Sequence, residues 1–213
     1  MTTWRRLAAS ALFVLPLTVA TATATANADA REAKEVSYHF GIAGSNFTNC
    51  TSPPQETTCL GSGVRAVQLA TQVGNVETET VFVEVNVFEI HQHANGTFEI
   101  GRLVDHGSGA GEVDIDGFHS AQVRASFAMA AGATAHLRFA LTGTGATSAY
   151  SGNENVSESG CPTGTAHIDY RGAERQALAT GTLSIGGVVQ QPTTAAGPAF
   201  INIERDTGRC TTA

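Results

Sequence analysis

His91 and His93 stand two residues apart at the end of an apolar alternating run, just before Asn95-Gly96. On a strand, that spacing turns both imidazoles to one face, which is how a sheet offers two ligands to a metal ion such as zinc. Glu89, Asp105 or His106 could complete the set. The plainer reading is two polar residues at an exposed strand end, because the pattern supplies only two ligands of a usual four. Glu112, Asp114 and Asp116 alternate with Val113 and Ile115, so these carboxylates share a face. Calcium favours such oxygen clusters, but the D-x-D-G spacing lacks the rest of a calcium loop and fits a solvated strand face better. Asp105, His106 and Ser108 put an acid, a base and a hydroxyl into one glycine-rich segment. A hydrolase needs such groups converging beside an oxyanion hole, and the strand–turn–helix setting of a nucleophile elbow is missing. The segment therefore reads as a flexible connection, and no catalytic residue is assigned.

Positioning these groups requires strands. Period-two alternation recurs along the chain and helical periodicity does not. Ala121, Val123, Ala125, Phe127 and Met129 alternate with polar or small residues, as do Ala135, Leu137, Phe139 and Leu141. Ala130-Ala131-Gly132 between them fits a three-residue hairpin loop with glycine in the left-handed position. In that register Arg124 lies opposite Arg138. Like charges across a ladder repel, so the pair should share a carboxylate such as Asp169 or Asp114, or bind an anion. Thr80 to His91 is apolar on both faces and reads as a central strand, turning at Asn95-Gly96 into a return through Phe98, Ile100 and Leu103. Shorter strands are expected around Val36–Ile42, Val64–Thr71, Val113–Ile115, Ile168–Tyr170, Leu183–Ile185 and Ile201–Ile203. A Gly/Ser/Asn-rich loop is expected at about 142–164. The fold class is all-β: a single-domain antiparallel β-sandwich of roughly nine or ten strands with two disulfides.

Cys50, Cys59, Cys161 and Cys210 are the chain's four cysteines. Three pairings are possible. Cys50–Cys59, closing a short loop, and Cys161–Cys210, tying down the C-terminal tail, are preferred. No Cys-x-x-Cys pair is present, which argues against a thiolate metal site. Arg5 and Arg6, an apolar run from Leu7 to Ala20 and the small-residue site Ala28-Asp29-Ala30 have the tripartite form of a secretory signal peptide over residues 1–30. The apolar run is too short for a membrane anchor. Residues 31–213 are then one secreted, extracellular domain.

The formal net charge of −7 disfavours nucleic acid and anionic membranes as partners. The only tryptophan, Trp4, would leave with the signal peptide, and Tyr38, Tyr150 and Tyr170 are the only tyrosines. Sugar-binding platforms lean on exposed Trp and Tyr, so a carbohydrate-binding module is disfavoured, with Tyr150 the best candidate for an exposed contact. A flat face carrying Tyr150 and Tyr170 together would favour it.

The segment Leu137 to Gly145, ending Leu141-Thr142-Gly143-Thr144-Gly145, the segment Arg175 to Leu183, and the Cys50/Cys59 loop resemble parts of uncharacterised secreted β-rich proteins of actinomycetes. The resemblance implies export and a β-rich fold and carries no activity and no site residues. The expectation is a non-enzymatic extracellular binding or interaction module, whose partner is an extracellular protein, a wall polymer or a small ligand, with no cofactor. The alternatives are a metal-binding protein or metal-dependent enzyme built on His91 and His93, and a carbohydrate-binding module.

Overall fold

The computed structural model describes residues 36–50, 54–73, 75–158, 161, 163–194 and 197–210. The expected signal peptide lies outside them. Ten strands are present: β1 (Val36–Thr48), β2 (Thr57–Val73), β3 (Val76–Gln92), β4 (Phe98–Gly109), β5 (Gly111–Asp116), β6 (Ser120–Ala128), β7 (Thr134–Ser157), β8 (Thr165–Ile185), β9 (Val188–Thr193) and β10 (Ala199–Cys210). Among the described residues there is no helix, and so none that could cross a membrane. Every pairing is antiparallel, in the order β4-β3-β2-β1-β10-β8-β7-β6-β5. β9 pairs with both β1 and β8, closing a four-stranded barrel of β1, β10, β8 and β9.

The two layers of the sandwich are two stretches of this one sheet, curled so that β2, β3 and β4 face β5 and β6. Alternation supplies the core between them. Ala43, Ala66, Val83, Val85 and Val87 from one layer meet Ala121, Val123, Leu137, Phe139 and Leu141 from the other. Phe47 and Phe139 meet edge to face, with centroids 5.7 Å apart, a favoured aromatic geometry.

The β6–β7 hairpin turns as its alternation requires. Met129 N–H donates to Ala133 O at 2.8 Å, and Gly132 takes a φ of 91°. Asp105, His106 and Ser108 correct the sequence reading. They belong to the edge strand β4, not to a flexible connection. A Cβ on Gly107 would come 2.8 Å from the Met129 sulfur, and one on Gly109 would come 2.5 Å from Phe127 Cβ. The glycines therefore let β4 lie flat on the opposite layer. Asp105 Oδ1 accepts from Ala131 N–H at 3.0 Å, and His106 O accepts from Ala130 N–H at 2.8 Å. These groups clamp the hairpin tip.

The expected loop at about 142–164 is strand as far as Ser157. Gly, Ser and Asn form strands poorly by themselves, but strand preference is set largely by cross-strand neighbours, and β8 pairs with this stretch from Thr147 to Ser157. A register shift between Gly143 and Thr147 absorbs the glycine-rich part. The segments expected as two strands at Ile168–Tyr170 and Leu183–Ile185 are one strand, β8. Cys50–Cys59 and Cys161–Cys210 are the two disulfides.

Candidate functional site

The long strands outrun the sandwich. Where they do, their reverse face buries side chains of its own. Register places Tyr38 of β1, Asp206 of β10, Tyr170 of β8 and Gly152 of β7 in one row. The adjoining row holds Phe40, Glu204, Gly172 and Tyr150, and the next holds Ile42, Asn202, Glu174 and Ser148. Ile42 and Val67 are buried on this face, outside the main core. All three tyrosines of the chain thus share one face.

Glycine makes the arrangement possible at two positions. Tyr150 crosses β8 above Gly172, where a Cβ would come 2.5 Å from its hydroxyl. Its O–H donates to Glu204 Oε2 on the far side and accepts from Asn202 Nδ2 at 2.8 Å. Tyr170 lies in the same manner against Gly152. Tyr38 stacks with Phe40 at a centroid distance of 6.2 Å.

Asp206 sits at the centre, with Tyr38 and Tyr170 beside it on the two neighbouring strands. It is 7 % exposed, and its Oδ1 has no hydrogen-bond partner. Burial, then the charge of Glu204 and a hydrogen bond with it, then Glu154, push its carboxyl up to about 7. Burial, with Glu158 and Asp206, raises Tyr38, and burial with the hydrogen bond to Glu204 raises Tyr150. The site therefore combines aromatic rings, an amide and crowded carboxylates. It shows no nucleophile held by a base.

The residues singled out from sequence are dispersed. His91 and His93 follow each other at the end of β3 but have separate partners. His91 Nδ1 lies 3.1 Å from Thr58 Oγ1, with Glu89 3.7 Å from Nε2, and His93 Nδ1 lies 3.1 Å from Glu56 Oε1. Among the described residues no group of three His, Cys, Asp or Glu is disposed to hold a metal ion. Glu112, Asp114 and Asp116 form an exposed face on β5. Arg124 and Arg138 are directly opposed, as the hairpin register requires. The neighbouring carboxylate is neither Asp114 nor Asp169. It is Glu112, 4.0 Å from Arg124, while Asp169 is 3.8 Å from Arg209. Gln122, Thr180 and Thr182 share the shallow depression that the two arginines line.

Sequence reasoning picked out Tyr150 and Tyr170 but missed Tyr38, Glu204, Asp206 and Asn202 as one group. The available signal was the even-numbered run Asn202, Glu204, Asp206, polar where Ile201 and Ile203 are apolar.

No family model matches the chain, and no curated protein sequence matches it. Among solved structures, the chain is similar to a crystal structure from Nitrosomonas europaea of a protein provisionally designated AttH. The identity is 11 % and the TM-score 0.29, over 84 % of this chain and 52 % of the other. The chain spans about half that protein's length, and a likeness at this level carries no argument about either fold or function.

Proposed function

We propose that the protein is an exported, non-enzymatic binding module whose ligand docks on the reverse face formed by Tyr38, Tyr150, Tyr170, Asn202, Glu204 and Asp206. One observation carries this reading: a buried carboxylate, Asp206, with an unpartnered oxygen at the centre of a face that gathers every tyrosine of the chain. Buried polar groups are normally hydrogen-bonded, and tyrosine is over-represented where proteins bind partners. The two disulfides are compatible with an extracellular setting, and the tripartite leader of residues 1–30 supports export.

A second reading, carbohydrate binding, draws on the same face, because Tyr150 and Tyr170 lie on it together. Saturation-transfer NMR against 1,5-diaminopentane, chitohexaose and polylysine tests the shared claim. At least one probe should bind, and Tyr170→Ala should abolish its binding while His93→Ala and Arg138→Ala leave it intact. Binding that survives Tyr170→Ala and is lost in His93→Ala contradicts it, as does failure of all three probes.

A further inference from the structure

Arg124 of β6 and Arg138 of β7 are opposed across the ladder, and Thr182 of β8 is the next residue in the same row. The adjoining row runs Gln122, Ala140, Thr180. Residues paired across a sheet share a face, so two guanidinium groups, two hydroxyls and an amide stand together on the surface turned away from the core. Ala140, between Gln122 and Thr180, is too small to fill the space. It leaves a depression of about 240 Å³ lined by all of these side chains.

Like charges directly across a ladder cost stability unless something negative lies between them. The protein supplies little of it. Glu112 Oε2 is 4.0 Å from Arg124, beyond hydrogen-bond distance, and its side chain is 82 % exposed. An ion pair this open adds little. Arg138 makes no hydrogen bond or ion pair with any described residue. Asp114 opposes Gln122 on β5, and neither it nor Glu112 lines the depression. The guanidinium donors of Arg138 are therefore open to an anion from solution.

The arrangement also restricts which anion fits. The donors come from β6, β7 and β8 and surround the floor at Ala140, so they can address oxygens that point in different directions. A planar carboxylate is satisfied by one guanidinium fork, whereas a tetrahedral oxyanion can engage two forks and a hydroxyl at once. Glu112, Asp114 and Asp116 run along the neighbouring strand β5, and the chain carries a formal net charge of −7. Both repel an extended polyanion.

We infer that this depression is a second binding site, which takes a single phosphate or sulfate group between Arg124 and Arg138, with Gln122, Thr180 and Thr182 as further donors. It is independent of the tyrosine site, which lies further along β7 and β8.

NMR titration of the labelled protein at pH 7 and fixed ionic strength tests it, with methyl phosphate, inorganic sulfate, acetate and long-chain polyphosphate as probes. Methyl phosphate or sulfate should shift Gln122, Arg124, Arg138, Thr180 and Thr182 and bind at least fivefold tighter than acetate. The tighter of the two identifies the group. Arg138→Gln and Arg124→Gln, both at exposed positions, should each weaken that binding at least tenfold. Glu112→Gln should tighten it about twofold by removing a competing acceptor. Arg102→Gln, at an exposed arginine beside Glu89, should leave it unchanged. Acetate binding as tightly as methyl phosphate and sulfate overturns the inference. So do unaltered affinity in Arg138→Gln, an equal loss in Arg102→Gln, polyphosphate binding tenfold tighter per phosphate than methyl phosphate, or no shift with any probe.

Discussion

Asp206 illustrates how much a residue's meaning depends on its neighbours across the sheet. In the sequence it is an acid two residues after another acid, near the C-terminus. In the fold it is buried between two tyrosines, with its carboxyl raised to about 7. The sign of the consequence follows from linkage. The folded state holds the proton more tightly than the unfolded state, so the stabilisation is complete below the ordinary carboxyl value and is lost as pH rises through about 7. Wild-type stability should therefore fall by on the order of 1–2 kcal/mol between pH 5 and pH 8. Asp206→Asn, which resembles the protonated form, should show a drop smaller by that amount. Urea unfolding at the two pH values measures both. An equal drop in the variant would mean that Asp206 titrates as an ordinary exposed acid.

At the scale of elements, the turns and their glycines set the positions. The hairpin from β6 to β7 was legible because its alternation, its loop length and Gly132 all require the same register. The second half of β7 was not, because Gly, Ser and Asn gave no local strand preference and the decisive partner, β8, lies further along the chain. The reverse face was illegible for the same reason. Its residues come from β1, β7, β8 and β10, and Tyr150 reaches Glu204 only by crossing an intervening strand at Gly172.

Two glycines separate the effects of backbone conformation from those of space. Gly132 has a φ of 91° and nothing within 4 Å of a built Cβ, whereas Gly181 has a φ of 122° and a Cβ there would collide with the backbone of Arg138 and Phe139. Gly132→Ala should cost about 1 kcal/mol, and Gly181→Ala at least about 2 kcal/mol more. Equal costs in urea unfolding would show that β8 is free to shift at Gly181.

For the whole molecule, the disulfides act on the two ends of the architecture. Cys161–Cys210 closes a span of 49 residues and anchors β10, the central strand of the reverse face, whereas Cys50–Cys59 closes a span of 9. Loop entropy makes the longer closure worth about 4 kcal/mol and the shorter about 2.6 kcal/mol. The double variant Cys161→Ala/Cys210→Ala should accordingly be the less stable of the two disulfide deletions in urea unfolding, and a reversed order would contradict that ranking. The pairing itself was legible from sequence, since one bridge joins near neighbours and the other secures the chain's end. The all-β architecture was also legible, although a single curled sheet supplies both layers. The location of the reverse face and its three tyrosines was not, because only assembly of the sheet brings these residues together.

The most direct test of the account is chemical-shift mapping of the isotopically labelled protein titrated at pH 8 with whichever of 1,5-diaminopentane, chitohexaose and polylysine binds. Shifts concentrated at Tyr38, Tyr150, Tyr170, Glu204 and Asp206, with His91, His93, Arg124 and Arg138 unmoved, are the predicted result. Shifts concentrated at the histidines of β3 or the arginines of the β6–β7 hairpin, with the reverse face silent, would contradict it.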